Sequence, residues 1–413
     1  MKILLIHQYF LMPNGSGGSR FNEMARIWSE NGHDITVLSG MIYHNSGKKY
    51  PEYVGKKFAE EIHSEGVRVI RCHDSEGSQD NFISRLKVYF VFVITSIWAG
   101  VFKVKGKYDI IIVTSPPLTI GLTAYVISKI KKVPFVFEIR DLWPESAIDT
   151  GVLANKWIIK LSLAFEAFIY KKAKRINVLT PAFKNTLLVK KGVPSEKLMM
   201  IPNAADFALS DNLLQNFDSN AFRKANLLEN HFVITYVGAH GVANHLDQVL
   251  DAAEVLADTN VLFLLVGEGM EKARLVSDAK RRGLINVRFI DPVPKQEVFK
   301  YILASDMGAS ILKRVDTFKT VYSNKTFDYF SCKKPVLMAI DGVSRELVED
   351  ANAGVYVEPE NISAYNATIR EYLKDPQRLI QEGENGYQFA KSNFDRQLLA
   401  EKYINELIET LKR

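Results

Sequence analysis

Short apolar runs rich in β-branched residues alternate with amphipathic stretches along almost the whole chain. Ile3 to Ile6 is such a run, Arg20 to Glu30 places its apolar positions at helical spacing, and Asp34 to Leu38 is apolar again, which predicts a βαβ opening. Val67 to Arg71, Tyr108 to Thr114, Val133 to Ile139 and Arg175 to Leu179 continue the series, with helical stretches between them. Strands that read as continuous apolar runs belong to a parallel sheet covered on both faces. A second series follows: Phe232 to Val237, Val261 to Val266, Val287 to Ile290, Met307 to Ile311, Pro335 to Ala339 and Gly354 to Val357. The pattern predicts an α/β protein of two doubly wound, Rossmann-like units in tandem. Ile201 to Asp206 closes the first series and the polar stretch Ser210 to Asn230 reads as linker and lead-in helix. The boundary is therefore expected near residue 203, and no short repeat of fixed period is visible.

One segment departs from the alternation. Val88 to Phe102 is a 15-residue apolar run flanked by Arg85 and Lys87 on one side and Lys103, Lys105 and Lys107 on the other. A membrane-spanning helix needs about 20 residues, so this run is too short to cross a bilayer. Its aromatics and basic flanks suit a helix lying against headgroups, and a helix packed on the sheet fits as well. Both hold if one face packs and the other meets lipid. The basic group Lys171, Lys172, Lys174 and Arg175 would add attraction to anionic lipid.

Composition narrows the class. With 413 residues, 47% of them hydrophobic and 24% charged, the chain can bury two cores and reads as globular. Cys72 and Cys332 have neither metal-ligand spacing nor the pattern of a disulfide framework, which fits a reducing cytoplasm. The apolar start, Lys2 to Ile6, is too short for a signal peptide. Net charge is +6, but residues 1–200 carry 28 Lys and Arg against 17 Asp and Glu, leaving 25 against 30 beyond them, so the two parts are +11 and −5. The imbalance points to an anionic partner for the first part, phospholipid headgroups or nucleic acid. The bland alternative is a basic surface without a partner.

Candidate chemistry lies where the predicted strands end. The loop after the first strand, Pro13 to Arg20, holds Gly15, Gly17 and Gly18 ahead of a helix, a place where amides can meet an anion. The spacing is not the dinucleotide fingerprint, and no acidic residue closes the second strand, so nicotinamide binding is disfavoured. Alone, the loop is equally consistent with a tight turn. After Phe135-Val136-Phe137 comes Glu138-Ile139-Arg140-Asp141-Leu142-Trp143-Pro144-Glu145-Ser146, charge gathered at the edge of the sheet where ligands bind in open α/β folds. The bland reading is an Arg–Asp pair closing a strand.

In the second half, Tyr236-Val237-Gly238-Ala239-His240-Gly241 is a strand running into a glycine turn whose amides could hold a diphosphate. Val266-Gly267-Glu268-Gly269 and Phe289 to Val293 are further strand ends that could flank a nucleobase. Asn324, Lys325 and Asp328 follow Ser323. Lys325 and Asp328 share a helical face, the cation suited to a phosphate and the carboxylate to ribose hydroxyls, with a surface ion pair as the alternative. No Asp-x-Asp motif or metal-spaced His cluster is present, so no metal and no other cofactor is expected.

Three stretches together resemble glycosyltransferase family 4, most closely its bacterial WbuB-like branch of O-antigen, capsule and colanic-acid assembly. They are His7-Gln8-Tyr9-Phe10 with Pro13, Gly17, Gly18 and Arg20; Arg140 to Ser146; and Ser323 to Tyr329 leading to Lys334-Pro335-Val336. The resemblance spans essentially the whole chain. It implies a GT-B fold, two Rossmann-like domains facing a cleft, with domain one at 1–203, domain two at 204–393 and a final helix, about 394–413, packing back on the first.

The resemblance also implies retention of anomeric configuration without metal. It places the nucleotide-sugar donor at Gly17, Gly18, Arg20, Gly238, His240, Gly267, Glu268, Asn324, Lys325 and Asp328, and the acceptor side at Arg140, Asp141 and Glu145, with Asp141 or Glu145 assisting the reaction. The donor it suggests is a UDP-sugar bearing an N-acetylated amino or deoxyamino sugar such as N-acetyl-L-fucosamine. The acceptor it suggests is a lipid-linked saccharide carried on polyprenyl diphosphate, so the expected partner of the basic first part is an anionic membrane surface and no nucleic acid, with the protein cytoplasmic and peripheral on the inner face of the cell membrane.

Two departures stand out: Thr320 and Asp328 occupy the positions of two family glutamates, and Ala239 to His245 lacks the usual Arg and Lys, leaving His240 as partial substitute. A nucleotide-sugar 2-epimerase and a non-catalytic sugar-nucleotide-binding protein are the competing readings. An epimerase has no use for a basic, aromatic first half.

Overall fold

The computed structural model describes residues 1–13, 15, 20–43, 47–63, 66–77, 82–149 and 151–412. The chain forms two compact units, residues 1–202 with 397–413, and residues 203–396.

The first unit is built on an eight-stranded sheet: β1 Lys2–Ile6, β2 Asp34–Ser39, β3 Phe58–Ile62, β4 Arg68–Cys72, β5 Ile110–Ser115, β6 Phe135–Ile139, β7 Arg175–Val178 and β8 Leu198–Met200. Their order is β3-β4-β2-β1-β5-β6-β7-β8. All pairs are parallel except β3 with β4. Ile3, Leu4, Leu5 and Ile6 are fully buried in the central strand, as a sheet covered on both faces demands. β3 was not predicted. Its Glu60 and Glu61 break the apolar pattern, and such charges are what an edge strand tolerates.

The apolar segment belongs to a longer helix, Phe82–Phe102, whose Ser84–Phe102 stretch is long and apolar enough to cross a membrane by length and composition, so the expectation that the run is too short does not hold. Val88, Phe92, Ser96 and Ala99 are buried on one side, while Phe90, Ile94, Trp98 and Phe102 are exposed on the other. A fully buried helix is thereby excluded. The last helix, Arg396–Lys412, buries Tyr403 against Trp28, the two rings 5.4 Å apart, and Trp28 Nε1 donates to the Ala400 carbonyl at 2.9 Å.

The second unit carries a six-stranded, all-parallel sheet: β9 Phe232–Val237, β10 Val261–Val266, β11 Val287–Ile290, β12 Met307–Ile311, β13 Val336–Ala339 and β14 Gly354–Tyr356, in the order β11-β10-β9-β12-β13-β14. The strand order reverses between β9 and β12, the switch point at which α/β sheets bind ligands. The segment read as linker and lead-in helix holds two helices, Phe207–Asn216 and Ser219–Ala225. Each is capped by an Asp accepting a backbone amide, Asp206 from Leu209 and Asp218 from Ala221.

Candidate functional site

In the second unit the site grows from the split between β9 and β12, which pair only through Met307 with Ile234 and Gly308 with Thr235. Into the gap above them Tyr329 sends its hydroxyl. It donates to the carbonyls of Thr235 at 3.0 Å and Ala309 at 3.1 Å, and accepts from the Val237 amide at 3.1 Å. A side chain at Gly308 would strike the Tyr329 ring, its Cβ coming within 2.3 Å of the ring carbon. Tyr329 thus pins the helix Asn324–Ser331 to the switch point.

At the start of that helix Ser323 gives no side-chain cap, and the Asn324 and Lys325 amides have no acceptor among the described residues. The Lys325 ammonium sits 4.8 Å from the centre of the Tyr236 ring, and its stem passes 3.3 Å from where a Cβ on Gly238 would stand. It makes no ion pair or hydrogen bond among the described residues. Burial pushes its pKa down to about 8, with the Asp328 carboxylate one turn on opposing the shift. A cation with no carboxylate or hydrogen-bond partner among the described residues, beside open helix amides, is arranged to receive an anion. Asn324 is tied through its side chain to Asn203, and Asp328 keeps part of its surface open.

The glycine turns are arranged differently from the expectation. The Gly238 amide donates to the Val266 carbonyl at 3.0 Å, the Gly267 amide to that of Ile290 at 3.0 Å, and the His240 amide to that of Glu268 at 2.9 Å. Those three amides are occupied, which leaves Ala239 and Gly241 as the open ones at this turn. Gly267 is there for packing, since a Cβ on it would lie 1.9 Å from the Gly238 carbonyl oxygen. The His240 side chain is also corrected as a phosphate ligand. It is fully buried between Tyr236 and Phe289, neither ring nitrogen forms a hydrogen bond, and burial pushes its pKa down to about 4. A neutral, enclosed imidazole does not hold a diphosphate. Glu268 remains exposed at the rim. Lys272 ties the loops together, donating to the Gly267 carbonyl at 2.8 Å and to Asp291 at 2.6 Å.

In the first unit the residues gathered are those at the carboxyl ends of β5 and β6. Arg140 donates from its backbone amide and from Nε to the Ser115 carbonyl, at 3.2 and 3.3 Å, and keeps part of its surface open. Asp141 accepts from the Ser146 hydroxyl at 2.8 Å, and burial holds its carboxyl above the usual range. Glu145 is tied into the structure through one of its two carboxylate oxygens. Lys191 bridges its Oε1 at 2.5 Å to Glu166, at 2.5 and 2.6 Å, while its Oε2 has no hydrogen-bond partner among the described residues.

Arg20 is likewise not free for a donor. It is 5% exposed, ion-paired to the fully buried Glu138 at 3.0 and 3.1 Å, and it donates to the carbonyls of Ile201 and Pro202. Gly17 and Gly18 lie outside the described residues. Among the described residues no three His, Cys, Asp or Glu side chains gather as metal ligands.

Tyr329, Lys272, Glu138 and Lys191 were missed as site-building residues. Tyr329, one turn beyond Lys325, carried a readable signal in its helical spacing. The others act through partners that only folding supplies.

Comparison with known proteins fits this geometry. Residues 15–204 match the glycosyl transferase 4-like domain and residues 218–389 match glycosyl transferases group 1. The chain is 24% identical to the putative colanic acid biosynthesis glycosyl transferase WcaI of Escherichia coli, covering 98% of this chain and all of that protein. Among solved structures, Anabaena HepE in complex with UDP-glucose superposes with a TM-score of 0.70 at 19% identity, over 100% of this chain and 99% of that one. WaaG, a glycosyltransferase involved in lipopolysaccharide biosynthesis, gives 0.69 at 15%, over 98% and 99%. With a glycosyl transferase 4-like first domain and a glycosyl transferases group 1 second domain on a GT-B fold, the chain is a glycosyltransferase.

Proposed function

We propose that this glycosyltransferase moves a sugar from uridine diphosphate to a polyprenyl-diphosphate-linked saccharide in the assembly of a bacterial surface polysaccharide, with retention at the anomeric carbon and without a metal ion. The observation that carries the donor half is Lys325, an ammonium with no ion pair or hydrogen bond among the described residues, beside the open amides of Asn324 and Lys325 at the switch point of the second sheet. A nucleoside diphosphate supplies the anion this arrangement lacks. The UDP and UDP-glucose held by HepE support uridine as the base, and the name of the Escherichia coli relative supports polysaccharide synthesis. The transferred group is an N-acetylated amino or deoxyamino sugar such as N-acetyl-L-fucosamine, a reading supported by the motif resemblance alone.

In the reaction the bond between the anomeric carbon and the diphosphate oxygen breaks, its electron pair leaving with the diphosphate. Lys325 and the two helix amides stabilise that charge. The acceptor hydroxyl attacks the same face, and its proton passes to the departing phosphate oxygen. Asp328 accepts from ribose hydroxyls. On the acceptor side, Arg140 and Asp141 contribute by orienting the acceptor, the Asp141 carboxylate accepting a hydrogen bond from it while the reacting proton goes to the phosphate. The protein works on the cytoplasmic face of the membrane and binds no nucleic acid. The exposed apolar stripe of the Phe82–Phe102 helix supports contact with lipid.

The test is thermal stabilisation by a panel of nucleotides and nucleotide sugars, with and without magnesium. Uridine nucleotides should raise the melting temperature equally in both conditions. No shift with any nucleotide would remove the donor reading.

A further inference from the structure

Three helices form one layer of the first unit. Phe82–Phe102 meets Ile120–Lys131 where the hydroxyls of Ser96 and Thr123 lie 3.0 Å apart. Ile120–Lys131 in turn meets Lys156–Lys172, where Gly121 abuts Ile169 and the Tyr125 ring stands edge-on to Phe168 at 5.0 Å. The third helix is anchored by its C-terminal half, where Glu166, Ile169 and Tyr170 are buried. Its N-terminal half stands clear of the core. Trp157 is 80% exposed and Leu161 70%, with Ile158 and Leu163 also open. Trp157, Leu161, Ala164 and Phe168 fall at helical spacing and make one apolar stripe.

The charge on this layer has a single sign. Lys156, Lys160, Lys171 and Lys172 are the exposed charges of the third helix, and its one carboxylate, Glu166, is buried under Lys191. The other two helices contain Arg85, Lys87, Lys129 and Lys131 and no acidic residue. Exposed aromatic and aliphatic side chains among lysines alone fit an anionic bilayer, where tryptophan favours the headgroup boundary. A second copy docking on this face about a two-fold axis would set lysine against lysine.

We propose that the Lys156–Lys172 helix is a second lipid-contacting element, which seats Trp157 and Leu161 at the boundary between headgroups and acyl chains of an anionic bilayer while its lysines meet the phosphates. The inference deepens, and rests on, the reading that the enzyme works at a membrane surface. With the outer stripe of Phe82–Phe102 it gives the first unit two points of attachment. One shallow contact is reversible, whereas two together hold a protein at the surface.

The test is flotation with vesicles of phosphatidylcholine alone and of phosphatidylcholine with phosphatidylglycerol, using the full chain. The wild type should float with the anionic vesicles and less so as salt rises. Trp157→Ser with Leu161→Ser should bind at least about tenfold more weakly. Lys156→Gln with Lys160→Gln should flatten the salt dependence. A blue shift of tryptophan emission on binding should shrink in Trp157→Phe, which keeps the apolar contact.

Thermal stabilisation by uridine diphosphate should be unchanged in all these variants, so the donor reading is checked separately. If the serine double variant floats like the wild type, the inference falls. It also falls if the wild type is a dimer that this variant converts to monomer in the absence of lipid.

Discussion

Lys325 is the residue whose surroundings are least self-sufficient. Replacing it by methionine removes a charge-assisted contact of about 2 kcal/mol, which corresponds to roughly thirtyfold weaker binding of uridine diphosphate by calorimetry. Its depressed pKa makes a second outcome. Between about 8 and the ordinary 10.5 the folded protein holds this proton less tightly than the unfolded chain. The ratio of wild-type to Lys325→Met affinity should therefore shrink as pH rises through about 8, while the stability of the nucleotide-free protein rises across the same window. A ratio independent of pH would show that the ammonium does not meet the phosphates. Arg20 has the opposite character, with its partners already in place. Arg20→Ala strands the buried Glu138 carboxylate and should cost about 3–5 kcal/mol in urea unfolding. A loss below about 1 kcal/mol would contradict the buried pair.

At the scale of elements, the donor region depends on loops and a helix being held close. Gly267 has φ of +150°, and a methyl group there would meet the Gly238 carbonyl at 1.9 Å. Gly267→Ala should push the ends of β9 and β10 apart, lowering the melting temperature and weakening nucleotide binding together. An alanine variant with wild-type melting and affinity would show that these loops do not need their close approach. The helix Asn324–Ser331 is anchored by the buried Phe327 and Phe330 and by the Thr326 and Ser310 hydroxyls, and the Tyr329 hydroxyl ties it to the switch point. Tyr329→Phe leaves the Val237 amide and two carbonyls without that partner, at a cost of about 1–3 kcal/mol. Because Lys325 rides on this helix, nucleotide affinity should fall as well, which a purely local packing role would not cause. Much of this was legible beforehand: the strand, the glycine and the Lys–Asp helical face could be read from the chain. The occupied amides of Gly238, His240 and Gly267 could not, because their acceptors sit on neighbouring strands.

For the whole molecule, the charge division between the first 200 residues and the remainder separates a basic part from an acidic one. The layer of helices in the first unit concentrates basic residues and exposed apolar ones together, while the switch point with Lys325 belongs to the second. Hydrogen exchange with and without uridine diphosphate should therefore slow exchange around residues 237–241 and 323–329 and leave residues 156–172 unchanged. Adding anionic vesicles should do the reverse. Protection of both regions by the nucleotide alone would contradict this division of labour.

The alternation of apolar runs and amphipathic stretches by itself determined two doubly wound units, because a strand buried on both faces and a helix covering it each leave a short-range period in the chain. It determined as well that Lys325 and Asp328 share a face and that the segment before Phe102 is apolar with basic flanks. Tertiary structure decided which of the candidate groups are available. Arg20 finds Glu138 across 118 residues and the Pro202 carbonyl across 182, and Lys191 reaches Glu145 across 46. No local pattern announces such partners. The cost of leaving a charge or an amide unpaired inside the protein decides who pairs with whom, and that cost is set only once the chain has brought distant segments together.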